Sequence, residues 1–198
     1  MTVQTGKPRA TWTTSRLATV VVLGAINGVL LTPISLLWVM INSAFGVIGA
    51  ALWQPYVIFT SLVAWLMPLP GVYMIGCVVG GFANFLSGDP SGVATIYWGI
   101  AAGVAGEIAL AIFRYKPAKR TWIVILAALL YIPATNVVTY FLYGWENNLL
   151  LWIGLLISLV AITVEGAIPG IYLAKWLIKT RLLRGVGVGL DEPEKAQA

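Results

Sequence analysis

The chain has 198 residues, of which 60% are hydrophobic and only 10% charged, with a mean hydropathy of +0.91. Between Arg16 and Asp89 there is no charged residue, a run that excludes a soluble domain and far exceeds the roughly 20 apolar residues that cross a bilayer once. The net charge of +5 thus reflects the Lys and Arg excess of cytoplasmic loops and not a nucleic-acid partner, while one cysteine and no histidine exclude an internal disulfide and a His/Cys site for a soft metal.

Residues 1–16 read as a cytoplasmic N-terminal segment carrying Lys7, Arg9 and Arg16. The apolar run behind them is too long for a cleavable signal and lacks a small-residue cleavage site. Six spans follow, over 17–41, 47–67, 71–86, 93–113, 121–143 and 149–174, within a membrane domain of residues 17–184. Asn42-Ser43, Pro68 with Pro70-Gly71, and the stretch Ser87 to Gly92 supply the first turns. The third span is short, and Gln54-Pro55 interrupts the second, so one of them reads as broken or tilted. Residues 185–198 read as a mobile cytoplasmic tail; their alternating glycines neither follow a strand nor open a helix, which excludes a nucleotide-binding loop.

The expected fold class is therefore an all-α integral membrane bundle of six helices. Six crossings bring the basic N-terminal segment, the stretch Arg114 to Arg120, and the C-terminal Lys175, Lys179, Arg181, Arg184 and Lys195 to one face. The opposite loops hold no Lys or Arg and two acids, Asp89 and Glu146. Positive residues stay inside, so both termini are read as cytoplasmic in a multi-pass protein of the cell membrane.

Two carboxylates fall within the apolar spans, Glu107 and Glu165, and each is a functional candidate because an ionised acid is costly there. Both lie about 20 Å from the external ends at 1.5 Å per residue, past the midplane, so each reads either as a ligand group or as a cap on a neighbouring helix. The external half carries aromatic and amide side chains: Trp38, Asn42, Trp53, Gln54, Tyr56, Asn84, Tyr97, Trp98, Asn136, Tyr140, Trp145 and Glu146. Such a set suits a flat heteroaromatic ligand, while an interfacial belt explains any single aromatic. A pocket in the outer half of the last three spans is expected, with residues 42–46 as a lid. Gly24 and Gly28 form a small-xxx-small pair that reads either as a docking face for a partner helix or as internal packing.

No phosphate-binding G-x-x-x-x-G-K-[ST] motif occurs, so the chain does not itself hydrolyse ATP by that route, and no catalytic constellation is apparent. The chain reads as one membrane part of a larger machine and not as an enzyme. A proton-linked transporter using Glu107 and Glu165, or a ligand-free assembly subunit, are the alternatives.

The stretch PGVYMIGCVVGGFANFLSGDPSGVATIYWGIAAGVAGEIALAIFRYK, from Pro70 to Lys116, resembles the YkoE family, the substrate-binding S components of energy-coupling factor (ECF) vitamin transporters. The shared features are Pro70-Gly71 opening a helix, Gly88 closing it, the glycine-rich Tyr97 to Glu107 stretch, and the Phe113-Arg114-Tyr115 ending. Asn84 and Ala102 depart from the family pattern, where an acid and a glutamine are expected. The resemblance implies capture of thiamine or its hydroxymethylpyrimidine precursor from outside, with no further cofactor, and transport driven by a separate coupling subunit and two cytosolic ATPases. It also implies that Gly24 and Gly28 resemble the docking surface of S components.

Overall fold

The computed structural model describes residues 11–144 and 149–180. Among the described residues, seven α-helices run in order: α1 (Thr14–Leu52), α2 (Ile58–Leu66), α3 (Val72–Leu86), α4 (Ala94–Ile112), α5 (Arg120–Tyr143), α6 (Leu149–Ala161) and α7 (Ile168–Lys179). A 3-10 turn, Pro55–Val57, precedes α2, and a π-helical segment, Ile162–Ala167, joins α6 to α7. Thr14–Leu52, Ala94–Ile112, Pro117–Tyr143 and Leu149–Lys179 are long and apolar enough to cross a membrane; Pro55–Leu66 and Val72–Leu86 are apolar but shorter.

The Thr13 hydroxyl accepts the Arg16 amide at 3.3 Å and starts α1. The break expected at Asn42-Ser43 is absent, because the Ser43 hydroxyl donates to the Val39 carbonyl at 2.8 Å and stays within the helix. The helical course breaks instead at Gly46, whose φ of 67° and ψ of −161° suit a residue without Cβ. Residues 42–45 are thus helical, which corrects the expectation of a loop lid there. Beyond Gly46 the chain folds back: the Trp53 indole donates to the Ile34 carbonyl at 3.3 Å. The second span is broken where Gln54-Pro55 predicts, since proline lacks the donor that a continuous helix needs.

Glycine contacts give the helix directions. A Cβ on Gly24 would meet the Gly76 carbonyl at 2.8 Å, and one on Gly28 would collide with the Gly80 carbonyl, so α1 and α3 run parallel in close contact. Gly81 faces Thr95 and Gly106 faces Tyr73, which makes α3 and α4 antiparallel. Gly166 meets Val57 and Gly170 meets Ser61 and Leu62, so α7 runs parallel to α2. The Trp12 indole donates to the Pro70 carbonyl at 2.9 Å and brings the N-terminal end to the turn before α3. Arg16, the basic turn of residues 114–120, and Lys175 with Lys179 therefore share one end of the bundle.

These contacts correct the docking expectation for Gly24 and Gly28. Both are buried against α3 within the chain and present no open face to a partner.

Large side chains fill the basic end. Leu62, Leu66, Met67, Leu69, Leu110, Ile123, Val124 and Ile162 are fully buried there, packed around α2. On α4, Ile100, Val104, Ile108 and Ile112 form an exposed stripe at helical spacing, the surface a lipid-facing helix needs.

Candidate functional site

The opposite end of the bundle is hollow. A cavity of about 440 Å³ lies there, within the range of small-molecule sites. Its walls come from the later part of α3 (Cys77, Gly81, Asn84), the start of α4 (Thr95, Trp98, Gly99, Ala102), the later part of α5 (Tyr131 to Thr139) and the start of α6 (Leu151 to Ser158). α1 adds Asn27, Ser35, Trp38 and Asn42, and the broken second span adds Gln54, Tyr56 and Thr60. Among the described residues, no Asp, Glu, Lys or Arg lines it.

Of the residues singled out from sequence, Trp38, Asn42, Gln54, Tyr56, Asn84, Trp98 and Asn136 come together on these walls. The cavity is not confined to the last three spans, because the fold-back at Gly46 and the close α1–α3 contact carry the first half of the chain into it. Trp53 instead holds the fold-back through Ile34. Tyr97 and Tyr140 lie half exposed outside the cavity, Tyr140 with its ring edge on Phe141 at 5.6 Å. Trp145 and Glu146 lie outside the described residues. Asn27, Thr60, Thr95, Thr135, Thr139 and Ser158 were missed, because isolated hydroxyls and one amide in an apolar helix carry no motif.

The polar walls are ordered by local bonds. The Trp98 indole donates to the Thr139 hydroxyl at 3.1 Å, which donates to the Thr135 carbonyl at 3.0 Å. This fixes the Trp98 ring as a flat platform, with Tyr143 6.3 Å away. The Gln54 amide nitrogen donates to the Ala50 carbonyl at 3.2 Å and to the Ser158 hydroxyl at 3.4 Å, tying the broken span to α6. The Asn136 amide nitrogen donates to the Ile132 carbonyl at 2.7 Å. The Thr32 hydroxyl donates to the Asn84 amide oxygen at 2.9 Å.

Both membrane carboxylates bond helix starts outside the cavity lining. Glu107 accepts the backbone N–H groups of Gly71 and Tyr73 at 3.0 Å each and of Met74 at 3.3 Å, so it caps α3. Glu165, in the π-helical segment, accepts the Gln54 N–H at 2.7 Å, where the second half of the broken span begins. A helix start exposes unpaired N–H donors and the positive end of its dipole, so a carboxylate there stabilises both itself and the helix. The capping alternative for these acids is the geometry seen.

Among the described residues, no group of three or more His, Cys, Asp or Glu is placed to hold a metal ion. No curated protein matches the chain significantly. A solved structure described as "Crystal structure of an S-component of ECF transporter" superposes with a TM-score of 0.86, covering 94% of this chain and 95% of its own at 21% identity, which shows a shared fold. The family described as "ABC-type cobalt transport system, permease component" matches residues 15–134, more than half of the chain, and the protein belongs to that family of transport-system membrane components.

Proposed function

We propose that the protein is the substrate-binding membrane subunit of an ECF-type transporter and captures thiamine or its hydroxymethylpyrimidine precursor from outside the cell. The observation that carries this reading is the hollow end of the bundle, walled by aromatic and amide side chains, opposite the end that gathers the basic residues. Under the positive-inside rule that basic end is cytoplasmic, so the helices make six crossings with both termini inside and the cavity faces out. The sequence lacks a nucleotide-binding motif, and the likeness to an ECF S component supports movement of the ligand by a separate coupling subunit and two cytosolic ATPases.

The family description names cobalt, but the donors here favour an organic ligand. The chain has no histidine, and Cys77 is the lone thiol in a lining of amides, hydroxyls and aromatic rings. The proton-relay alternative is not favoured, because Glu107 and Glu165 serve two different helix starts.

Calorimetry on the purified protein with thiamine, hydroxymethylpyrimidine and Co²⁺ tests the reading. Binding of either organic ligand without Co²⁺ binding is the expected result. Binding of Co²⁺ alone would move the assignment to the metal, and binding of none would favour an assembly role.

A further inference from the structure

Among the described residues, five amides line the cavity, and three of them, Gln54, Asn84 and Asn136, each have one end already committed. Gln54 and Asn136 use their N–H groups on the carbonyls of Ala50 and Ile132, which leaves each side-chain oxygen as an acceptor. Asn84 uses its oxygen to accept from Thr32, which leaves its N–H₂ as the donor. Among the described residues nothing further bonds these free ends. Carbonyl partners can only accept, so the orientations of Gln54 and Asn136 follow from the bonding itself. Gln54 and Asn84 are both more than nine-tenths buried, so a ligand that leaves either free end unpaired loses affinity.

Among the described residues, none that lines the cavity is charged, Glu146 lying outside them. Asp89 is buried in the turn after α3 and is not itself among the lining residues; one carboxylate oxygen accepts the N–H of Ser91, which does line the cavity, at 2.8 Å, and the other has no partner among the described residues. A cation entering would give up its hydration with no charged group among the described lining residues, only Asp89 behind Ser91, and aromatic rings offset only part of that cost.

We propose that this cavity reads its ligand through amides of set polarity, Gln54 and Asn136 accepting and Asn84 donating, and prefers an uncharged amino-substituted nitrogen heterocycle to a cation. The exocyclic amino group donates to the two oxygens, and a ring nitrogen accepts from Asn84. This rests on the ligand-binding reading and deepens it, since it separates the neutral precursor from the cationic vitamin by charge.

The test measures dissociation constants on the full chain for 4-amino-hydroxymethylpyrimidine, its 4-oxo analogue and thiamine. The amino ring should bind at least tenfold more tightly than the oxo ring, and more tightly than thiamine. Asn136→Leu should shrink the amino-to-oxo ratio, while Asn84→Asp should turn the preference toward thiamine by tenfold or more. Equal or tighter binding of the oxo ring overturns the polarity. Thiamine binding most tightly, and weakened by Asp89→Asn, overturns the charge preference and makes Asp89 the counter-charge. If the folded protein binds none of the three, the ligand-binding reading itself fails, an outcome distinct from a reversed order among ligands that bind.

Discussion

The Glu165 carboxylate accepts the backbone N–H of Gln54 at 2.7 Å across 111 residues of sequence, and it does so from a π-helical segment. The widened turn lets Gly166 approach so closely that a Cβ there would meet the Gln54 carbonyl at 3.3 Å. A break in one membrane helix is thus matched by an irregular turn in another, and the freed backbone donor is satisfied inside the protein, as the bilayer requires.

Glu165→Ala should therefore lower stability by about 1–3 kcal/mol, the cost of a buried donor left unpaired. Glu165→Gln keeps an acceptor and should lose less. Thermal unfolding in detergent reads the difference; equal melting temperatures for all three proteins would deny the cap its role.

Glu107→Ala removes the acceptor of three N–H groups at the start of α3 and should destabilise the protein by about 2 kcal/mol, more than loss of an ordinary cap. Because Glu107 is outside the cavity lining, Glu107→Gln should keep ligand affinity within about twofold of the wild type, too small a change for a lost ligand contact. Calorimetry on the folded variant would return Glu107 to the ligand site if its affinity fell tenfold.

Trp98 and Tyr140 separate the cavity from the lipid-facing belt. Trp98→Ala removes a stacking platform and should weaken ligand binding by about 1 kcal/mol or more, whereas Tyr140→Ala, half exposed outside the cavity, should leave it unchanged. Equal losses in the two variants would show that the cavity extends past the walls described.

Gly28→Leu should prevent the close α1–α3 contact, because even a methyl group would collide with the Gly80 carbonyl and with Ala83. The expected cost is about 3 kcal/mol or more, read as loss of folded protein by size-exclusion chromatography. A variant that folds and binds ligand normally, yet no longer co-purifies with a coupling subunit, would restore the docking role.

The sequence alone determined the membrane class, because 72 consecutive uncharged residues admit no other solvent, and the clustering of Lys and Arg set the relative placement of the turns. It also located the Gln54-Pro55 break, since proline's missing donor acts locally. Only the tertiary structure decided which faces look inward. Tyr97 and Trp98 are neighbours of similar character, yet one lies outside the cavity and the other lines it. Gly24 and Gly28 suit a partner helix as well as α3, and Glu107 suits a ligand as well as a helix start. Lipid is as apolar as the protein core, so the hydrophobic periodicity that orients a helix in water is largely absent here, and the rotation of each helix comes from its packing partners.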